Sequence, residues 1–293
     1  MDFDKRYDHY RAIAENSILT ACGRFSHVEE TLAKACIYSL TAGGKRLRPV
    51  LFLSVLDAFG CLDEKYYPLA AALEFIHTSS LVHDDLPALD NDDMRRGMPS
   101  AHKKFGEAFA VISGDALLNA AYELCFNLLC DDGSVGVRRA CRYISVAAGA
   151  GGMLGGQGYD LDEEKKTDSE EYLLKTDLLK TSALIRAAIV SAGLIADKSI
   201  DETEVFGDKL GLMFQFVDDL LDATGDSFVV GKTLGKDSEE GKITAVSVYG
   251  IDGLSEKITV LKNECLEYID AVFDIDNRPF LKELVERLAR RSF

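Results

Sequence analysis

Two aspartate-rich runs stand 134 residues apart: His83-Asp84-Asp85-Leu86-Pro87-Ala88-Leu89-Asp90 and Phe216-Val217-Asp218-Asp219-Leu220-Leu221-Asp222. Both interrupt apolar stretches, where an uncompensated carboxylate is rare. Two carboxylates about 4 Å apart repel by roughly 4 kcal/mol at an effective dielectric of about 20. A multivalent cation removes that penalty, and oxygen-only ligands favour a hard ion such as Mg²⁺. Asp84, Asp85, Asp90, Asp218, Asp219 and Asp222 are therefore candidate metal ligands. The chemistry expected of them is several magnesium ions gathered in one cleft around a strongly anionic molecule.

Such a molecule also needs cations. Gly43-Gly44-Lys45-Arg46-Leu47-Arg48-Pro49 puts basic residues at a glycine-rich turn opening a helix, a natural anion site. Taken alone, that turn is equally consistent with a solvated loop. Arg95-Arg96 follow the first acidic run within reach of the same ligand. Lys180-Thr181, Lys232 and Lys242 lie near apolar or glycine-rich segments, and singly each reads as a surface residue. His77 precedes Asp84 by two turns; a lone helical histidine is usually structural.

The elements that must position these groups read as helices almost throughout. Candidates cover roughly 3–22, 27–41, 46–60, 65–85, 106–131, 135–152, 169–196, 202–223, 238–249, 254–273 and 278–291. Breakers separate them, among them Gly43-Gly44, Gly60, Gly97-Met98-Pro99 and Arg278-Pro279. Asp168 or Ser169 suits a helix start. Alternating apolar runs bounded by hairpin turns are missing, so strands are not expected. On one helix Gly211, Gln215, Asp218 and Asp222 recur at spacings of 4, 3 and 4, a polar stripe amid apolar flanks that should face a wet cavity or a metal. Asp84 and Asp90 lie about 240° apart on a straight helix and would diverge. Pro87 disrupts that helix, and unwinding across Leu86–Leu89 returns Asp90 toward Asp84.

A chain of 293 residues with 47% apolar content supports a sizeable core. One all-α domain over 1–293, a single large bundle of about 11–14 helices, is the simplest account. A net charge of −16 argues against nucleic acid as a partner. Seven scattered cysteines form no CxxC or zinc pattern and suit reduced thiols in the cytoplasm. The start is no signal peptide, and no apolar run approaches 18 residues, so no membrane span is expected.

The motifs GGKRLRP, HDDLPALDNDDMRRG, GGQGYDLD, LLKTSAL, FQFVDDLLDATGD and GKTLGKD, in that order, resemble the trans-prenyl diphosphate synthases. The likeness, to bacterial farnesyl and geranylgeranyl diphosphate synthases, runs essentially end to end. It implies the isoprenoid synthase fold, helices around a central cavity, and a homodimer. It implies head-to-tail condensation of isopentenyl diphosphate with dimethylallyl, geranyl or farnesyl diphosphate by ionisation, condensation and elimination. Asp84 and Asp90 would hold two Mg²⁺ ions and Asp218, with Asp219 and Asp222 close by, a third. Arg95, Lys180, Gln215 and Lys232 would hold the allylic diphosphate. Lys45, Arg48, His77 and Arg96 would hold that of isopentenyl diphosphate, and Thr181 and Gln215 would flank the reacting carbons.

In this family the residue five before Asp84 often caps the growing tail. Here it is Ser79, beside Ser80, and small residues leave that floor open. Phe75 lies one turn deeper, about 5.4 Å or close to one isoprene unit. Phe75 as the floor implies a C20 product or a C15/C20 mixture, unless facing side chains near Leu117–Asn119 close the space earlier. A class I terpene cyclase and a non-catalytic subunit of a heteromeric synthase are the rival readings. Intact aspartates in both motifs, with Lys45 and Arg48, argue against both.

Overall fold

The computed structural model describes residues 2–162, 164, 166–224 and 243–290. Among these residues are thirteen α-helices: α1 (Phe3–Cys22), α2 (Glu30–Thr41), α3 (Leu47–Ala58), α4 (Tyr67–Asp84), α5 (Ala101–Phe105), α6 (Glu107–Asp131), α7 (Val135–Ala148), α8 (Met153–Leu161), α9 (Glu170–Asp177), α10 (Ala183–Ile195), α11 (Ile200–Thr224), α12 (Ala245–Val272) and α13 (Arg278–Arg290). The all-α expectation holds. The sequence pattern shows no helix at α5 or α8, and it splits α12 where the structure has a kink at Gly250, φ 68°.

Caps mark several of the starts. The Glu29 carboxylate accepts from the amides of Thr31 and Leu32 at 3.0 and 2.8 Å. Ser169 Oγ accepts from the Tyr172 amide at 3.2 Å, as its position before Glu170-Glu171 suggests. Thr244 and Ser247 form a reciprocal capping box at the head of α12.

The chain falls into two compact units, Met1–Leu53 with Leu62–Cys141, and Ser54–Cys61 with Arg142–Phe293. In the first, α4 packs on α6 and α1, and Leu69 through Ile76 are all buried. Gly114 of α6 makes room for the His83 ring, since a Cβ there would lie 2.1 Å from Nε2. In the second, α11 packs on α10 and α12, and α10 is buried on nearly every side, as an all-round apolar helix must be.

The structure departs from the sequence expectation at Met94–Arg95 and Met98–Pro99, which pair as antiparallel two-residue strands. Arg96 at φ 53° and Gly97 at φ 76° make the left-handed turn that joins them. Strands this short produce no alternation to read. The stretches Glu107–Asp131 and Glu170–Ile195 are also long and apolar enough to cross a bilayer, although neither is an unbroken apolar run. Their most apolar parts are 44% and 67% buried within the protein, and α10, in the second, is a core helix.

Candidate active site

The first acidic run sits where α4 stops. The Leu86 amide donates to the His83 carbonyl at 3.0 Å, and the Leu89 and Asn91 amides both turn back to the Leu86 carbonyl. Pro87 has no amide to continue the helix. The Asp90 amide then donates to the Asp84 carbonyl at 2.9 Å, so the chain returns Asp90 to Asp84, as unwinding at Pro87 requires. Both side chains are half-buried. Asp85 differs, being 2% exposed. Arg95 donates to its Oδ1 from Nε at 2.8 Å and also from Nη2, and reaches Asp92 at 3.2 Å. Burial pushes the Asp85 carboxyl up, and Arg95 opposes the shift.

The glycine-rich turn separates two arginines that read alike in sequence. Arg46 is 2% exposed and bonds Glu15 at 2.7 Å, Glu74 at 2.8 Å and the Leu40 carbonyl at 2.6 Å. It is a strut of the fold. Arg48 is partly exposed, and its Nε has no hydrogen-bond partner among the described residues. Burial brings its guanidinium down to about 10, with Glu74 opposing and Arg96 adding to the fall. Arg96 lies flat over Gly44, whose φ is +121°; a Cβ there would stand 2.8 Å from Cζ. Its Nη1 bonds the Gly43 carbonyl, and its Nη2 is 3.7 Å from Glu74. His77 stands among Arg48, Arg96, Arg95 and Arg46; burial first, then these charges, hold its pKa well below the usual value, so the ring is neutral. Lys45 is exposed, with its carbonyl taking the Tyr7 hydroxyl at 2.7 Å. Arg48, His77, Arg95 and Arg96 thus form one cationic group, and Lys45 sits on the turn that holds it.

In the second unit the helix expected over 169–196 carries a π-turn at Leu178–Ser182, between α9 and α10. Such wide turns re-aim side chains. Two glycines allow this one. A Cβ at Gly156 would lie 2.2 Å from the Lys180 amide nitrogen, and one at Gly211 would lie 2.5 Å from Ser182 Oγ. Lys180 Nζ donates to Asp160 at 2.5 Å. Thr181 Oγ1 donates to Gln215 Oε1 at 2.7 Å, and Gln215 Nε2 donates to Asp219 Oδ1 at 2.7 Å. The Ala245 amide donates to Asp219 Oδ2 at 2.6 Å. The expected polar stripe is therefore revised: Gly211 is packed against the π-turn rather than facing a cavity, and Gln215 lines up with buried Asp219. Asp218 and Asp222 are half-buried. Lys232 and the GKTLGKD motif lie outside the described residues.

Phe75 is fully buried and stacks on Phe25, with ring centroids 6.3 Å apart. Ser79, one turn on, is 3% exposed, while Ser80 bonds back to the His77 carbonyl at 2.9 Å. Sequence reasoning missed Glu74 and Asp177. Glu74, a carboxylate between Leu73 and Phe75, carries the same signal as the two motifs. Burial, then Asp219 and Asp160, push the Asp177 carboxyl well up, and its Oδ2 has no partner among the described residues. Among the described residues no three His, Cys, Asp or Glu side chains are gathered closely enough to hold an ion. Asp85 and Asp219, both expected from the sequence to join such a group, are turned to protein donors instead.

Residues 29–272 match the Polyprenyl synthetase family. The chain is 37% identical over 267 residues to a farnesyl diphosphate synthase of Bacillus subtilis, covering 90% of each. It is 38% identical over 267 residues to geranylgeranyl pyrophosphate synthase 4 of Arabidopsis thaliana, covering 88% of this chain and 70% of that one. A solved geranyltransferase of Helicobacter pylori, complexed with magnesium and isoprenyl diphosphate, matches with a TM-score of 0.82 at 32% identity over 98% of this chain and 97% of that one. A match that runs through both aspartate motifs and most of the sequence makes this protein a member of the polyprenyl synthetase family.

Proposed function

We propose that this chain is a trans-prenyltransferase condensing isopentenyl diphosphate head to tail with allylic diphosphates to give farnesyl (C15) and/or geranylgeranyl (C20) diphosphate. The observation that carries the reading is the cationic group of Arg48, Arg95, Arg96 and neutral His77, with Arg48 Nε left without a partner among the described residues. Arg48, Arg95 and Arg96 outnumber the buried carboxylates beside them, Asp85 and Glu74, and Glu74 also serves Arg46, so an anion is the missing component.

Lys45, Arg48, His77 and Arg96 bind the diphosphate of isopentenyl diphosphate, while Arg95, Lys180 and Lys232 bind that of the allylic substrate. The chemistry of the donors, hard carboxylate oxygens, suits magnesium: half-buried Asp84 and Asp90 are tied by a backbone bond, Asp218 and Asp222 stand one helical turn apart, and a bound diphosphate would add the further oxygens that such an ion needs. Magnesium held by these carboxylates, about three ions by the family resemblance, would supply positive charge against the departing diphosphate. Thr181 spends its proton on Gln215, which leaves its hydroxyl lone pairs to face an allylic cation. An apolar surround must keep water from that cation before the isopentenyl double bond reaches it. The final proton leaves to the released diphosphate, the base that the reaction itself generates.

Relatives named as C15 and as C20 synthases resemble the chain to a similar degree, and Ser79 and Ser80 favour the longer product. The family resemblance carries a homodimer over to this chain, and seven free thiols suit a cytoplasmic setting. The test mixes dimethylallyl and isopentenyl diphosphates with Mg²⁺, with and without chelator, followed by gas chromatography of the dephosphorylated products. Prenyl products of C15 or C20 should form only with the metal; turnover that survives its removal contradicts the mechanism.

A further inference from the structure

We propose that the second aspartate of each pair is a positioning residue: Asp85 aims Arg95, and Asp219 aims Gln215 and through it Thr181. The proposal rests on the prenyltransferase reading and assigns work within it.

Three observations converge. The first is burial: Asp85 and Asp219 are 2% and 7% exposed, whereas Asp84, Asp90, Asp218 and Asp222 are half-buried. The second is direction. Neighbouring residues on a helix point about 100° apart, so the two members of a pair cannot both face one ion squarely. Gln215 lies within a turn of both Asp218 and Asp219, and it gives its NH₂ to Asp219 at 2.7 Å. The third is the use of oxygen lone pairs. Arg95 donates to Asp85 Oδ1 from two nitrogens, and Asp219 takes the Gln215 amide on one oxygen and the Ala245 amide on the other.

Each arrangement fixes something that the reaction needs. Arginine presents its donors in a rigid fork, and a carboxylate gripping Nε and one Nη leaves the remaining donors pointing the other way. Asp92, holding the same Nη2 at 3.2 Å, further limits the swing of Arg95. A carboxylate accepts and never donates while ionised, so Asp219 dictates that Gln215 turn its NH₂ inward and its carbonyl toward Thr181. Asparagine at 219 abolishes that dictate, because it can donate as well as accept.

The experiment uses the full chain with Mn²⁺ as the metal probe and inorganic diphosphate as the anion. Mn²⁺ binding is followed by electron paramagnetic resonance in D84N, D85N, D218N and D219N. D85N and D219N should keep Mn²⁺ affinity within about twofold of the parent, while D84N and D218N lose about tenfold or more. In turnover, D85N should raise the KM for the allylic diphosphate about tenfold, and D219N should lower kcat by about 10²-fold with KM little changed. Should D85N or D219N fold poorly, the double variants D85N/R95Q and D219N/Q215L carry the test. Each should be no slower than R95Q or Q215L alone. Mn²⁺ affinity falling in D85N or D219N as far as in D84N or D218N overturns the proposal, and so do additive double variants. Unchanged Mn²⁺ binding in D84N and D218N would instead count against the magnesium reading itself.

Discussion

Glu74 offers the sharpest test of how the anion site is built. Its side chain is 2% exposed, 2.8 Å from Arg46 Nη1 and 3.7 Å from Arg96 Nη2. At an effective dielectric of about 20 those separations correspond to roughly 6 and 4.5 kcal/mol of gross attraction. Desolvation of the carboxylate offsets part of this, so E74Q, which keeps the shape and removes the charge, should destabilise the fold by about 3–5 kcal/mol. A melting temperature lower by roughly 10 °C is the expected reading. The same change leaves Arg48 and Arg96 without their nearest buried counter-charge, so inorganic diphosphate should bind about tenfold tighter, a gain of about 1.4 kcal/mol. The loss and the gain are separable by melting the variant and the parent with and without diphosphate. At about 100 times Kd the ligand alone restores about 2.7 kcal/mol. If E74Q melts lower and binds diphosphate more weakly, Glu74 orients the arginines rather than opposing the anion, and its proposed competition with the ligand is refuted.

Other outcomes follow from the same geometry. The unfolded His77 imidazole titrates near 6.5 and the folded one well below, so below about pH 6.5 the unfolded chain takes up a proton that the folded chain refuses. Stability should fall on acidification by up to about 1.4 kcal/mol per pH unit, and urea midpoints at pH 7.5 and 5.5 should show H77Q losing this component. G156A drives a methyl group to within 2.2 Å of the Lys180 amide nitrogen, so the π-turn must move; kcat should fall by about 10²-fold, measured at saturating substrate. S79Y should shift products toward C15 by gas chromatography, and an unchanged distribution would remove Ser79 from the chain-length determinants. F75A deletes a fully buried ring stacked on Phe25 and should cost about 3–5 kcal/mol by chemical denaturation.

Local chemistry makes part of this legible. Pro87 announces the end of α4, and the return of Asp90 to Asp84 follows from the angle between them. The hydrophobic period gives α4, α6 and α11 nearly to their ends. What stays hidden depends on distant partners. Arg46 and Arg48 differ only in which meets Glu15 and Glu74, 31 and 28 residues from Arg46. The π-turn needs Gly156 and Gly211 pressed against its backbone, and no helical period records that. A stripe drawn on an ideal helix places Gln215 with Asp218, whereas the amides of Gln215 and Ala245 recruit Asp219. Hydrogen-bond supply from neighbouring elements decides the matter, and periodicity carries no information about it.

The flat seating of the Arg96 guanidinium on Gly44 makes two remote stretches of sequence a single heritable part. A methyl group at position 44 meets the cation head-on, and a shorter residue at 96 leaves the turn without its cover. A library that randomises either stretch by itself will mostly recover failures; altered anion preference should arise from clones in which both have changed together.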